Sequence, residues 1–287
     1  MPRWSIILLL FIASFAIVGL ITYRKIKDYF ENASEYAKIK EGVALTDEML
    51  MIAHRGLSAV APENTLAAFR LATEAGFRYV ETDIRRTKDG HWVVMHDATV
   101  DRMTDGSGAI ADLTLEQIQK LKITRGSGIE TYPDEHVPTL NEYLKEVIEG
   151  GSYPVIEIKA KGVFDFKDLV YLLREYNITE KAVVIDYDID HLRTIRKLCP
   201  ELQMQILGHF VKRKFIDAAE EIGNCGFDGM QNLQRNNALC REIREKGIPF
   251  NMWTVDSEAA LKKIKALGAT MATTNCLKPI HNQKENA

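Results

Sequence analysis

The chain has 287 residues, 46% hydrophobic and 27% charged, which is the composition of an ordinary globular protein. A net charge of −3 and a pI near 6.2 exclude a general attraction to nucleic acid or to an anionic membrane surface, so any phosphate binding must be local. A disulfide framework or structural zinc site is not expected, because the four cysteines are widely spaced: Cys199, Cys225, Cys240 and Cys276.

The N-terminus carries an uncharged apolar run, Trp4–Tyr23. A helix of this length spans about 30 Å, the thickness of a bilayer's hydrocarbon core. A cleaved signal peptide is the alternative, but no small-x-small cleavage site follows and basic residues come at once. We therefore predict a transmembrane anchor over residues 1–27, a charged stalk over 28–47 and, at the other end, a polar tail over 281–287.

The predicted location is a cell membrane, crossed once. Positive charge is concentrated after the apolar run, which weakly favours a catalytic domain on the cytoplasmic side. Because many single-pass anchors carry their domain outside, the sequence leaves the side open. It also leaves the oligomeric state open.

Short apolar runs and amphipathic helical patterns alternate from residue 48 to about 280. The first helix is predicted over Thr65–Ala75, with Asn64 as N-cap and Gly76 past its end. Strict alternation implies a parallel sheet, and eight units in about 230 residues fit an α/β TIM-type (β/α)8 barrel. The eight predicted strands lie near Leu50–Ala53, Tyr79–Asp83, Val155–Ile158, Ala182–Ile185, Gln203–Leu207, Phe227–Met230, Phe250–Thr254 and Thr270–Thr273.

One region after the second strand breaks this alternation. It contains another strand-like run, Trp92–Met95, and then glycine-rich and aspartate-rich turns at 105–108 and 125–128. We interpret the stretch between Asp83 and the predicted helix near Leu140 as an insertion in a βα loop. It is expected to project from the barrel face that carries active sites.

Candidate chemistry begins at the end of the first strand, in His54-Arg55-Gly56. A histidine there can act as acid or base near neutral pH, and the arginine fork suits phosphate oxygens. The triplet alone is weak evidence, since a structural histidine is the commoner finding.

Three carboxylates follow on the second and third barrel strands. Glu81 and Asp83 share one face of their strand, and Glu157 shares a face with Lys159 on the next. Carboxylates that converge inside a barrel repel one another unless a cation neutralises them. The pattern predicts one bound Ca²⁺ or Mg²⁺, with Lys159 as a positive charge for phosphate.

A second histidine, His96, follows the apolar run before Asp97, which could orient it. Two histidines, one accepting and one donating a proton, suit displacement at a phosphodiester. Trp253 ends the seventh strand and is predicted to form an apolar wall beside a glycerol moiety, although a simple core role is equally compatible with the sequence.

Taken together, these segments resemble the glycerophosphodiester phosphodiesterase family, and the resemblance covers nearly all of residues 51–279. It is carried, in this order, by His54-Arg55-Gly56, Pro62-Glu63-Asn64-Thr65, Glu81-Thr82-Asp83, Thr87-Lys88-Asp89-Gly90, Val94-Met95-His96-Asp97, Asp112-Leu113-Thr114, Glu157-Ile158-Lys159 and Trp253-Thr254-Val255.

The resemblance implies a TIM barrel with a small inserted subdomain over about residues 97–137. It also implies an enzyme that hydrolyses glycerophosphodiesters to sn-glycerol 3-phosphate and an alcohol. It assigns the divalent cation to Glu81, Asp83 and Glu157, acid–base catalysis to His54 and His96, and phosphate binding to Arg55 and Lys159. The attacking group is either water or the glycerol 2-hydroxyl. One departure stands out, because Asn275 follows Thr274 where the family usually has an acidic residue.

Three other functions compete with this assignment. A phospholipase-D-like hydrolase of lysophospholipids is the nearest, because the anchor would hold the site beside lipid. An inert, membrane-tethered barrel is disfavoured since both histidines and all three carboxylates are present. A zinc amidohydrolase would need a second histidine close to His54, and Gly56 stands there instead. The expected partners are a small-molecule diester or lysolipid and the membrane.

Overall fold

A computed structural model describes residues 49–232 and 238–279. The predicted anchor, stalk and polar tail lie outside the described residues. Among the helices of the described part, none is long and apolar enough to cross a membrane.

Strands and helices alternate along the described chain. The strands are β1 Leu50–Ala53, β2 Tyr79–Arg86, β3 Trp92–Val94, β4 Tyr153–Ile158, β5 Val183–Asp186, β6 Gln203–Gly208, β7 Cys225–Met230, β8 Phe250–Trp253 and β9 Met271–Thr274. The helices are α1 Leu66–Glu74, α2 Leu115–Gln119, α3 Leu140–Glu149, α4 Lys167–Glu175, α5 Ile189–Leu198, α6 Arg213–Ile222, α7 Ala238–Glu245 and α8 Glu258–Leu267.

Eight of these strands form a closed parallel barrel. Each strand pairs with the next in sequence, apart from β3, and β1 pairs with both β2 and β9 to close the ring. The predicted barrel and its eight strands are therefore confirmed, with strand ends that differ by a few residues.

Side-chain alternation divides the barrel into two cores. Val80 and Ile84 of β2 point outward and pack with helix residues such as Phe69 and Tyr143. A smaller cluster fills the interior and includes Ile52, Val155, Val183, Ile185 and Leu207. The barrel also holds buried polar side chains, such as Gln205, which contacts the Met271 sulfur, and Asn251, which donates to the Thr273 hydroxyl.

The third strand lies outside the barrel and pairs antiparallel with the end of β2. The residues that follow it have their own buried cluster, which includes Val100, Met103, Ile118 and Val137. The segment predicted as an insertion thus packs on a separate small core beside the carboxyl ends of the strands.

Helix α1 begins one residue later than the sequence indicated. Thr65 is its N-cap and accepts a hydrogen bond from the Ala68 amide, so the prediction of Asn64 as N-cap was wrong. Asn64 has a positive φ of 58° and is buried. Its side chain accepts from the Thr82 hydroxyl and donates to Asp83, which leaves it unable to cap the helix.

Gly56 is required by its surroundings. Its φ is +76°, and a Cβ there would lie 2.5 Å from the Ala68 carbonyl carbon, within the backbone of α1. Gly247 has a similar φ of +65° but nothing within 4 Å of the Cβ position. The close approach of β1 to α1 therefore depends on Gly56.

We expect Gly56→Ala to lower the free energy of unfolding by about 3 kcal/mol, since a left-handed backbone penalty is added to a backbone clash. The matched Gly247→Ala should lose only about 1 kcal/mol, from backbone conformation alone. Urea unfolding followed by tryptophan fluorescence would measure both. Equal losses would contradict the close-packing argument.

Candidate active site

A cavity of about 230 Å³ opens at the carboxyl ends of the barrel strands. Of the eight residues predicted from sequence, seven line it: His54, Arg55, Glu81, His96, Glu157, Lys159 and Trp253. The eighth, Asp83, lies directly behind Arg55 and Lys159. The barrel thus brings together residues that are as far apart in sequence as His54 and Trp253.

The three predicted metal ligands converge within this site. Glu81, Asp83 and Glu157 are buried, and each offers an oxygen that lies within 4.8 Å of the other two. Burial, together with repulsion from Asp83, raises the pKa of Glu81 well above its usual range and that of Glu157 to about 8. Burial would raise the pKa of Asp83 too, but Arg55 and Lys159 lower it below its usual range.

Two cations hold the carboxylates together. The Arg55 Nε lies 3.1 Å from Asp83 Oδ2, and the Arg55 amide donates to Glu81 Oε2 at 2.8 Å. The Lys159 Nζ lies 2.5 Å from Glu157 Oε1 and 3.4 Å from Asp83 Oδ1. Asp83 therefore lies behind the two cations, whereas Glu81 and Glu157 line the cavity beside them.

The carboxylate cluster fits a divalent cation. The buried Asp83 Oδ1 and Glu157 Oε1 have Lys159 as their ion-pair partner and accept no further hydrogen bond among the described residues, so each retains a lone pair for a ligand. Three clustered carboxylates form an all-oxygen donor set, which Ca²⁺ and Mg²⁺ prefer. The residues that are present thus match the cation predicted from sequence.

His54 is held by a chain of hydrogen bonds that the sequence analysis missed. Its Nδ1 donates to Asn275 Oδ1 at 2.7 Å, and the Asn275 amide donates to Asp256 Oδ2 at 2.6 Å. Ser58 also donates to Asn275 Oδ1, which fixes the orientation of the amide. The Nε2 of His54 is consequently unprotonated and free to accept a proton.

The departure at Asn275 therefore has a structural meaning. Burial and the neighbouring Arg55 lower the pKa of His54 to about 4, so the ring is neutral at pH 7. The amide of Asn275 adds no negative charge beside the ring. Asp256 ends the run Trp-Thr-Val-Asp, which starts at the end of the seventh barrel strand. Its contact with Asn275 could not be read from the sequence, because the two residues are far apart along the chain.

His96 is oriented by its neighbour, as the sequence suggested. Its Nδ1 lies 2.8 Å from Asp97 Oδ1, and Asp97 is also bound by Arg102. Burial lowers the pKa of His96, while Asp83 and Asp97 oppose this effect. Arg102 also binds Glu63, and Glu63 in turn binds Arg55, the residue next to His54. One network of hydrogen bonds therefore connects the surroundings of His54 and His96.

The opposite wall of the cavity is aromatic and polar. Tyr187, His209 and Trp253 form a row, with ring centroids 5.8 and 6.2 Å apart. Asp228 lies between β6 and β8 and lines the same wall. It is buried, and its Oδ1 has no hydrogen-bond partner among the described residues. The sequence analysis placed Asp228 in the predicted strand Phe227–Met230 but gave it no role.

A parallel barrel with two histidines, two cations and three carboxylates at its carboxyl end defines a phosphodiester hydrolase. The model of the glycerophosphoryl diester phosphodiesterase family matches residues 54–277. The chain belongs to this family and is an enzyme of the phosphodiesterase class.

Individual relatives agree with this assignment. A glycerophosphodiester phosphodiesterase of Bacillus subtilis is 30% identical over 269 residues, which cover 87% of this chain and 91% of that enzyme. One from Caldanaerobacter subterraneus is 40% identical over 162 residues, 55% of this chain and 66% of that enzyme. A phosphodiesterase structure from Oleispira antarctica is similar in fold, with a TM-score of 0.75 and 24% identity over 83% of this chain and 97% of that one.

The hydrogen bonds at Asn275 generate a pH prediction. In the exchange variant Asp256→Asn with Asn275→Asp, the amide and carboxylate change places and the hydrogen bonds persist. The new carboxylate beside His54 should raise the pKa of the ring above about 4. An enzyme that needs a neutral base loses activity as the pH falls through the pKa of that base. The acidic limb of the kcat/KM profile of the exchange variant should therefore move to higher pH.

The pH profile of kcat/KM for diester hydrolysis checks this. Asp256→Asn alone is the control, because it leaves an uncharged amide on His54 and should leave the acidic limb in place. An exchange variant with the wild-type acidic limb would contradict the role given to Asn275.

Proposed function

We propose that the chain hydrolyses glycerophosphodiesters to sn-glycerol 3-phosphate and an alcohol, with the aid of a divalent cation. The observation that carries this proposal is the convergence of three buried carboxylates beside two histidines and two cations in one cavity. The Oleispira antarctica phosphodiesterase of similar fold is described as a complex with the product sn-glycerol-3-phosphate, and this supports the same substrate class here.

Glu81, Asp83 and Glu157 would hold the cation, Ca²⁺ or Mg²⁺. When bound, it would supply Lewis-acid stabilisation of charge on the phosphate oxygens. Arg55 and Lys159 add positive charge at the cavity wall and would bind the remaining phosphate oxygens. This division of roles uses every charged side chain predicted from the sequence.

The two histidines have different proposed roles. His54 presents an unprotonated Nε2 and has a lowered pKa, which suits the base that removes a proton from the nucleophile. His96, supported by Asp97, would protonate the leaving alcohol. The nucleophile is water or the glycerol 2-hydroxyl, and a cyclic phosphate in a trapped time course would identify the latter.

Substrate choice is proposed to depend on the polar wall of the cavity. Trp253 would pack against the glycerol carbons, and the unpartnered oxygen of Asp228 would accept a hydrogen bond from a glycerol hydroxyl. In a lysophospholipid, an acyl ester replaces one of the two free hydroxyls of the glycerol. The cavity therefore favours the deacylated diester over the phospholipase-D-like alternative.

The cellular location is part of the same proposal. The run Trp4–Tyr23 would anchor the enzyme in a membrane as a single-pass helix. The basic residues after it favour a cytoplasmic catalytic domain, and protease protection of the barrel in sealed vesicles would determine the side.

The central test measures release of glycerol 3-phosphate from glycerophosphocholine. Activity should disappear with EDTA and return with Ca²⁺ or Mg²⁺. His54→Ala should reduce kcat about 10²–10⁴-fold, as loss of a general base does. Glu81→Gln should weaken cation binding measured by calorimetry.

Glu146→Gln is the matched control, since Glu146 pairs with Arg70 on the barrel exterior. It should retain wild-type activity and cation binding. Full activity in EDTA would reject the cation, and release of choline from lysophosphatidylcholine alone would favour the lipid substrate.

A second test concerns Asp228. Asp228→Leu removes the oxygen without adding a polar group, so the loss of one substrate hydrogen bond should lower kcat/KM for glycerophosphocholine about 10–100-fold. Hydrolysis of bis(p-nitrophenyl) phosphate, which has no hydroxyl, should change little. Asp228→Asn keeps an acceptor oxygen, so its kcat/KM for glycerophosphocholine should fall between the values of the wild type and Asp228→Leu. Equal losses on both diesters would contradict a role in hydroxyl recognition.

A further inference from the structure

Exposed apolar side chains of the described residues concentrate at one end of the barrel. Val163, Tyr187 and Phe210 are 101%, 44% and 50% exposed, and they lie on the loops after β4, β5 and β6. Single exposed apolar residues are ordinary, but three on neighbouring loops form a patch. Among the described residues, Tyr171 on α4 is the only comparably exposed apolar side chain that lies away from this face.

Lysines stand between these apolar residues. Lys161 precedes Val163, and Lys212 and Lys214 follow Phe210. Within the described chain no carboxylate lies within 4.0 Å of any of these three ammonium groups, whereas the neighbouring Asp165 and Arg213 have partners in Lys167 and Glu242. The rim patch, which we define as Val163, Tyr187, Phe210, Lys161, Lys212 and Lys214, carries three positive charges, and the exposed Asp188 and Asp190 lie along the adjoining groove.

The rim patch adjoins the active-site cavity. Tyr187 and Lys159 line both this cavity and a larger groove of about 1220 Å³. Lys161 and Lys214 lie along the same groove. Whatever covers the rim patch therefore faces the mouth of the site.

We propose that the rim patch docks on the surface of an anionic phospholipid bilayer. Val163 and Phe210 enter the interface between headgroups and acyl chains, and the three lysines bind lipid phosphates. Apolar residues flanked by lysines are the usual composition of such surfaces, because each type of residue matches one layer of the lipid. Docking turns the cavity toward the place where deacylation of phospholipids releases glycerophosphodiesters.

Charge and chain length favour lipid over a protein partner. Among the described residues the three lysines have no carboxylate partner, although Lys212 and Lys214 lie over the Phe215 ring. Their ammonium groups would complement an anionic lipid surface. The apolar run Trp4–Tyr23 precedes β1 by about 25 residues, a stretch that can span up to roughly 85 Å. The chain is thus long enough to pass along the side of the barrel and let the catalytic face meet the membrane. This step rests on the proposed anchor, but not on the proposed reaction.

The test uses the full chain reconstituted with lipid vesicles. Val163→Cys, Phe210→Cys and, as control, Tyr171→Cys each receive an environment-sensitive fluorophore. The four native cysteines are buried and should not react. Vesicles of pure phosphatidylcholine are compared with vesicles containing phosphatidylglycerol, with a brominated lipid as quencher.

On the anionic vesicles, labels at 163 and 210 should shift to the blue and be quenched, while the label at 171 should not. The triple variant Lys161→Gln, Lys212→Gln and Lys214→Gln should lose this quenching. A charge-matched triple elsewhere, Lys120→Gln, Lys145→Gln and Lys197→Gln, should keep it.

Three results would overturn the docking proposal: no quenching at 163 and 210, equal quenching at 171, or quenching that persists in the triple variant of Lys161, Lys212 and Lys214. Co-sedimentation with pure phosphatidylcholine vesicles tests the anchor separately. A chain that co-sediments but shows no quenching at the rim would keep the anchor and reject docking.

Discussion

Repulsion among three buried carboxylates is the constraint on which the rest of the site depends. Glu81, Asp83 and Glu157 converge in a region from which water is largely excluded, and two cations, Arg55 and Lys159, compensate them. Three negative charges against two positive ones leave an excess, which matches the raised pKa values of Glu81 and Glu157. A cluster of this kind is stable only with a proton or a cation, and this supports the cation site that we propose.

The surrounding residues are arranged to keep that cluster in place. Asn64 gives up the N-cap position of α1 so that its amide can bind Asp83 and accept from Thr82. Gly56 lets the chain turn against α1, so that the Arg55 amide reaches Glu81. Local helix and turn geometry is therefore subordinate to the electrostatics of the site.

The sequence predicted those parts of the site that depend on strand periodicity. Alternation along β2 and β4 places Glu81, Asp83 and Glu157 on the inner face because the barrel excludes them from the apolar exterior. Helix boundaries were less predictable, as Asn64 shows. Asp228 was given no role although its strand was predicted, because a single aspartate shows no pattern of its own and only the closed barrel reveals that it faces a cavity.

The contacts that tune His54 could not be predicted, because they depend on strand register. Asn275 reaches His54 across the pairing of β1 with β9, which joins residues more than 200 positions apart. With a carboxylate in that position the imidazolium would gain an ion-pair partner, whereas the hydrogen bond to the Asn275 oxygen raises the pKa of His54 less than burial and Arg55 lower it. The replacement therefore preserves the tautomer of the histidine while lowering its affinity for a proton. Burial beside Arg55 acts in the same direction, so the neutrality of His54 follows from its whole environment rather than from one contact.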